Sequence, residues 1–270
     1  MSLGAGENPT SAPPVGEEYF AVMGEFAEHH WWYRARRDLV RAALARHTPP
    51  PTADDAAVDV GCGSGEMMAT LRSLGYGRVA GTEISHDARH LALTAGLGSG
   101  LVAADARWLP FPDDRAACLT SMDVIEHVHD ADRALREFAR VTAPGGTIVI
   151  TAPAYRSLWS EHDVWAGHAR RYSAAELARA AEQAGIGVER TTYFHSFLLP
   201  AAVLLRKTPL RRLVKVSNEQ MSYRGETFNR IFGLIAAAER AVLARSRIPF
   251  GLSILLVGRM AGSVNQRRRL

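Results

Sequence analysis

The stretch AAVDVGCGSGEMM, residues 56 to 68, constrains the fold more than any other part of the chain. A short apolar run ends in glycines at 61, 63 and 65 and passes at once into a helix-compatible segment. A buried strand that turns into a helix through glycines leaves backbone N–H groups free to meet a ligand and lets that ligand approach closely. The unit is repeated. Strand-like runs at 56–61, 77–83, 100–105, 116–123 and 145–153 alternate with helical segments at 66–75, 85–96 and 130–142, with a weakly marked helix between the third and fourth strands. Such alternation with short loops specifies a parallel sheet covered by helices on both faces.

The flanks carry less regular signals. Residues 17–47 place apolar side chains at helical spacing and stop at TPPPTADD, a proline-rich linker. After the fifth strand the chain becomes irregular and aromatic, AYRSLWSEHDVWAGHARRYS, then resumes with a helix at 174–185, a strand at 187–197 and a last strand at 253–260. About fifty helical-looking residues separate those two strands. The expected organisation is a disordered lead-in over 1–16, an N-terminal helical lid over 17–52 and a ligand-binding core over 53–195. A helical cap over 196–250, the last core strand over 251–262 and a basic tail over 263–270 complete it. The N-terminus has neither the basic flank nor the apolar segment of a signal peptide, and no run approaches a membrane span. With only Cys62 and Cys118, both in strand-like stretches, a reducing, cytoplasmic address is expected.

The glycine spacing discriminates between ligands. Dinucleotide sites use G-x-G-x-x-G, with a diphosphate on the helix terminus. Here the spacing is G-x-G-x-G and the next position is Glu66, whose carboxylate would repel a diphosphate. A cationic or zwitterionic ligand suits it better. The second strand ends at Glu83, an acid placed to accept ribose hydroxyls, the third at Asp105, and the fourth runs into SMDVIEHVHD before VTAPGGTIVI begins the fifth. This ordered set resembles the class I S-adenosylmethionine-dependent methyltransferases of the type 11 group, over roughly residues 17–190 and the final strand. The resemblance implies a doubly wound, seven-stranded Rossmann-like α/β sheet with its last strand antiparallel. It also implies S-adenosyl-L-methionine as cofactor and S-adenosyl-L-homocysteine as product.

Carried over position by position, Asp59 with Gly61, Gly63 and Gly65 would cradle the methionine part, Glu83 the ribose, and Asp105 with Ala106 the adenine. Met122 and Asp123 would line the open side. HWWYRARR resembles a helix that closes over the cofactor in related enzymes, with Tyr33 and Arg36 approaching its carboxylate. Cys62, Ile84 and His127 are the remaining expected cofactor contacts.

A sulfonium already makes its methyl group electrophilic, so the protein must chiefly position an in-line nucleophile and exclude water. For a hydroxyl or phenol acceptor a base adds rate, and histidine is the usual candidate. His168 is the first choice, with Asp163 to orient it; His162 and His195 are the others. Tyr19, Trp159, Arg171 and Tyr172 are the expected acceptor contacts. Asp123, Glu126, His127 and Asp130 lie close together, but their spacing matches no dedicated oxygen cage, and no metal is expected.

Charge is uneven. Residues 1–200 hold 18 Lys and Arg against 25 Asp and Glu, whereas 201–270 hold 14 against 3. Within 197–216, Leu198, Leu199, Val203, Leu204 and Leu205 stand beside Arg206, Lys207, Arg211, Arg212 and Lys215, a mixture found in interfacial helices. That segment suits peripheral contact with an anionic surface or a carrier protein, or a homodimer through the cap. Three functions follow in order: methylation of a small-molecule acceptor, at a hydroxyl, phenol or carboxylate oxygen of a natural product such as an antibiotic, or at nitrogen; methylation of a lipid-bound, carrier-bound or nucleic-acid substrate; and a noncatalytic module of the same fold. The fourth strand lacks the Asn/Asp-Pro-Pro-aromatic segment of base amino methyltransferases, so no nucleic-acid partner is expected. No cofactor motif is lost, which disfavours a noncatalytic module.

Overall fold

The structure is a computed structural model that describes residues 29–207 and 225–262. Its described elements are α1 (Trp31–His47), β1 (Ala56–Val60), α2 (Glu66–Ser73), β2 (Arg78–Glu83), α3 (His86–Thr94), β3 (Leu101–Ala103), β4 (Ala116–Met122), α4 (Ala131–Val141) and β5 (Thr142–Pro153). There follow α5 (Glu161–Trp165), α6 (Ala174–Gln183), β6 (Ile186–Phe194), α7 (Leu199–Lys207), α8 (Gly225–Leu243) and β7 (Ser253–Met260). Seven strands form one sheet in the order β3-β2-β1-β4-β5-β7-β6. β7 runs antiparallel between β5 and β6, and the other pairings are parallel.

The central strands are apolar at successive positions because both faces of the sheet are covered. Val58 and Val60, Ile148 and Ile150, and Ile254 and Leu256 face α4 and α6, where they meet Leu135, Phe138 and Leu177. Their strand neighbours Ala57, Val149, Leu255 and Val257 face α1, α2 and α8, packing on Val40, Leu44, Met67, Leu71 and Leu243. Order reverses between β1 and β4, so the C-terminal ends of these two strands open a crevice between diverging connections.

Several elements differ from the sequence expectation. β3 spans only three residues and no helix follows it; Pro110 and Pro112 lie in the connection to β4, where helical N–H bonding is interrupted. β5 starts directly at the end of α4, and an irregularity between Ala116 and Cys118 of β4 accommodates its early pairing. β6 stops at Phe194, because His195 adopts a left-handed conformation (φ 55°) that turns the chain into a 3₁₀ turn over Ser196–Leu198. The aromatic stretch after β5 contains α5, stopped at its start by a capping box between Ser160 and Asp163.

The lid and the insertion form one packed unit. Asn229 of α8 accepts from the Trp31 N–H (3.0 Å) and donates to the His29 carbonyl (3.2 Å), satisfying the start of α1. Trp31 packs on Phe232 with centroids 5.2 Å apart, and Arg240 of α8 pairs with Asp38 of α1 at 3.0 Å. Of the basic stretch 197–216, the structure describes the part through α7, with Val203 and Leu204 exposed. The rest, like the lead-in, the basic tail and Tyr19, lies outside the described residues. Among the described residues no helix is long and apolar enough to cross a membrane.

Candidate functional site

The turn after β1 is built on glycines in the left-handed region. Gly61, Gly63 and Gly65 all have positive φ (68°, 55° and 92°). A Cβ at Gly61 would stand 2.3 Å from the Val124 side chain, whereas one at Gly63 would meet nothing within 4 Å. Gly61 is therefore a packing requirement, and Gly63 borders open space. Asp59, at the centre of β1, is buried; its Oδ1 accepts from the Thr120 hydroxyl (2.7 Å) while its Oδ2 has no protein partner. Burial pushes this carboxyl up to about 7. A buried, half-satisfied acid beside a glycine cradle fits an ammonium group.

Glu83, at the end of β2, is held in place by backbone donors: Oε2 accepts from the Gly63 N–H (3.0 Å) and Oε1 from the Ser85 N–H (2.9 Å). Each oxygen keeps a lone pair for a diol. Ile84 follows with 67 % of its surface exposed, an apolar face beside that acid. Asp105 accepts from Arg107 through Nε (3.0 Å) and Nη2 (2.7 Å) and from the Arg107 backbone N–H (2.8 Å). Burial raises its carboxyl, and the Arg107 bonds outweigh that and hold it below the ordinary range. An adenine amino group would have to share an oxygen already bound to Arg107, with Ala106 beside it.

Cys62 is turned away from the crevice. Its Sγ lies against Gly81 of β2, its N–H donates to Thr82 and its carbonyl accepts from Gly65, so it contributes to the turn and offers a ligand nothing. Small and apolar in character, it fits under the sheet where a larger residue would collide with Gly81.

Across the switch point, Asp123 follows Met122, the last residue of β4, and adopts φ 54°. One carboxylate oxygen pairs with the Arg36 guanidinium of α1 and the other accepts from Thr151 (2.8 Å). Burial would raise this acid; the Arg36 charge and the Thr151 bond outweigh it, and it stays below its usual range. Arg36 thus joins the lid helix to the sheet, with Tyr33 packed on its guanidinium at 5.4 Å.

Three residues further, Glu126 is fully buried and neither carboxylate oxygen has a protein partner. His127 and His168 stand beside it, their rings 4.7 Å apart. Asp163 accepts from His168 Nδ1 (2.8 Å), Arg171 Nε (2.6 Å) and the Ser160 N–H (2.8 Å). Against the pull of burial, His168 and Arg171 hold its carboxyl far below the ordinary range. His162 approaches the His168 ring at 6.2 Å, and Trp159 is partly exposed at the rim.

Three expected site residues are buried. Arg171 is buried, donating to Asp163 and to the Ala154 carbonyl (3.0 Å), so its charge is already neutralised inside the protein. Tyr172 packs in the core beneath Ile125, because the chain returns alongside Ala154 and directs alternate side chains inward. His195 is 1 % exposed with neither ring nitrogen partnered; it lies against Trp32 with centroids 4.0 Å apart. Burial pushes its imidazole down to about 3, which leaves it without basicity near neutral pH. His127, expected among the cofactor contacts, stands beside His168 and Glu126.

Sequence reasoning missed Glu239, which accepts from the His195 and Ser196 N–H groups (2.7 Å each) and fixes the turn under the lid. Only the folded chain brings α8 to that turn. The Glu126–His127 pair was visible as adjacent letters, but His168 lies some forty residues away.

An open sheet with a glycine turn at its switch point and acids at the ends of β2 and β3 defines a nucleoside-binding α/β protein. Residues 58–150 match a family model described as a methyltransferase domain. The chain is 30% identical over 167 residues to malonyl-[acyl-carrier protein] O-methyltransferase of Pseudescherichia vulneris, covering 60% of this chain and 64% of that protein. It is 28% identical over 190 residues to a probable S-adenosylmethionine-dependent methyltransferase of Mycolicibacterium smegmatis, covering 68% of each. The match to the first thus spans a little under two thirds of the relative's length. Among solved structures, the [4+2]-cyclase SpnF shares the fold at TM-score 0.61 and 20% identity, over 94% of this chain and 97% of that one. Geranyl diphosphate C-methyltransferase from Streptomyces coelicolor A3(2) does so at TM-score 0.56 and 15% identity, over 83% and 79%. The methyltransferase-domain match and these relatives support a class I S-adenosylmethionine-dependent methyltransferase, and neighbours of the same fold were solved with S-adenosylmethionine or S-adenosylhomocysteine.

Proposed function

We propose that the protein transfers a methyl group from S-adenosylmethionine to an oxygen of a small-molecule acceptor, a hydroxyl, phenol or carboxylate of natural-product type. The observation that carries the choice of oxygen is the Asp163–His168 pair, at 2.8 Å, beside Glu126 and His127 in the segment that follows β4. Such groups can hold an acidic O–H and take up its proton.

The residues fit the cofactor. Asp59 would take its ammonium, Gly63 and the turn its methionine chain, Glu83 the ribose, Ile84 and Asp105 the adenine. When bound, the cofactor supplies a methyl group on a positively charged sulfur. The remaining work falls to this chain. Arg36 ties the lid to Asp123 and closes water out of the crevice, while Trp31, Trp32 and Phe197 around His195 form an apolar wall. His168 is oriented by Asp163 toward the acceptor side, and Arg171 keeps that carboxylate charged.

A carrier-bound or lipid-bound acceptor is the second reading. The relative named for a malonyl-carrier substrate supports it, as do Val203, Leu204, Ile231, Leu234 and Val242, exposed on the cap. A dimer through the same cap surface is the competing use of those residues. Incubation with methyl-labelled S-adenosylmethionine and acceptors bearing a phenol, a carboxylate or an amine tests the reading. Label on oxygen, lost in His168→Gln, is expected; label only on nitrogen would contradict it.

A further inference from the structure

Among the described residues, Glu126 is fully buried with neither carboxylate oxygen hydrogen-bonded. A carboxylate buried without a hydrogen bond is costly, and proteins normally leave one only where something else satisfies it. We propose that Glu126, His127 and His168 bind one divalent transition cation, of the zinc, cobalt or manganese type, which holds the acceptor's oxygen for methylation.

The three side chains each offer a ligand atom, and these atoms lie within 4.8 Å of one another. The imidazoles are set up for the purpose. His168 Nδ1 donates to Asp163 (2.8 Å) and His127 Nδ1 faces the Gly167 carbonyl (3.3 Å), so in both rings the other nitrogen, Nε2, carries the lone pair directed away from these partners. Histidine ligands are commonly fixed this way, by a carboxylate or carbonyl on the far nitrogen. The backbone keeps the two segments in register: the Ala169 and Arg170 N–H groups donate to the Glu126 carbonyl at 2.7 and 3.3 Å. A loop from beyond β5 is thereby pinned to the end of β4, and the donors stand on a rigid frame before any ion arrives.

The donor types choose the ion. Two imidazoles and one carboxylate suit zinc and its first-row neighbours, whereas magnesium and calcium take mostly oxygen. Three protein ligands leave a coordination position open for an acceptor. Its role there rests on the oxygen-methylation reading above. With the cation bound, His168 would serve as a ligand in place of a base: the acceptor O–H would release its proton to solvent, and its oxygen, held on the cation, would attack the methyl carbon. A C–O bond forms as the C–S bond breaks, and the sulfur leaves as a neutral thioether with the electron pair. The cation lowers the acidity barrier of that first step, as it does for bound water.

The experiment uses the full chain, stripped with chelator and titrated with Co²⁺, and separately with Zn²⁺ by calorimetry. One equivalent per chain and a visible cobalt ligand-field band are expected. Glu126→Gln and His168→Gln should lose the band and weaken Zn²⁺ at least ~100-fold, on the scale of ligand and support losses in metal sites. Both variants should keep S-adenosylhomocysteine binding and the wild-type circular dichroism. Wild-type protein that binds S-adenosylhomocysteine but no Co²⁺, or variants that bind Co²⁺ as wild type does, would overturn the inference. Metal bound with no S-adenosylhomocysteine uptake would leave the metal site standing and sink the proposed function instead.

Discussion

Arg36 of α1 forms an ion pair with Asp123 at the end of β4, so the helix that precedes the sheet is anchored at the point where the sheet order reverses. Both side chains are largely buried, and neither is easily replaced singly. Arg36→Ala leaves Asp123 with only Thr151, and a loss of about 1–3 kcal/mol is expected for an uncompensated charge of this kind. Urea unfolding measures it. The same variant should weaken S-adenosylhomocysteine, since the lid loses its anchor.

Asp59 predicts a pH dependence of cofactor binding. Its folded carboxyl titrates at about 7, far above its unfolded value, because it is buried. In the empty protein its contribution to stability is therefore fully present in acid and is lost as pH rises through about 7. The ligand's ammonium group needs the ionised form, so affinity for S-adenosylhomocysteine should fall by about tenfold per pH unit below 7 and level off above it. Calorimetry between pH 5.5 and 8.5 reads this, and Asp59→Asn should bind weakly with no such slope.

Two glycines in one turn should fail differently. Gly61→Ala drives a methyl group into Val124 and adds left-handed strain, with an expected loss of about 1–3 kcal/mol in stability. Gly63→Ala meets no protein atom and costs only the strain, about 1–2 kcal/mol, yet fills the space meant for the ligand. Parallel melting and binding measurements separate them: Gly63→Ala loses affinity out of proportion to its stability, and Gly61→Ala does the reverse.

The difference between these glycines also marks how far the sequence could be read. The β1 turn, Glu83 and the strand-helix alternation were legible because each is a local pattern whose cause lies within a few residues. Arg171 and Tyr172, expected as acceptor contacts, are both buried where the chain returns beside Ala154, and nothing local reveals that return. The pairing of α1 with α8 through Asn229 spans about two hundred residues and has no periodic signature. Sequence spacing set Glu126 beside Asp123, His127 and Asp130; His168 joins it only because a separate loop folds back.

Glu239 tests the lid unit. Its two oxygens serve the N–H groups of His195 and Ser196, and the Ser196 hydroxyl as well. Glu239→Ala should cost about 1–3 kcal/mol, the scale of orphaned buried donors. Hydrogen exchange should show the added opening confined to 195–207 and α1, with β1 to β5 as well protected as before.

The central claim is that the glycine turn, Asp59 and Glu83 hold a sulfur-bearing adenosine ligand. Calorimetric titration of the purified chain at pH 8 with S-adenosylhomocysteine, and separately with NAD⁺ and NADP⁺, tests it most directly. One equivalent of S-adenosylhomocysteine bound, with no heat from either dinucleotide, is the predicted result. Saturable binding of a dinucleotide with none of S-adenosylhomocysteine would contradict the account.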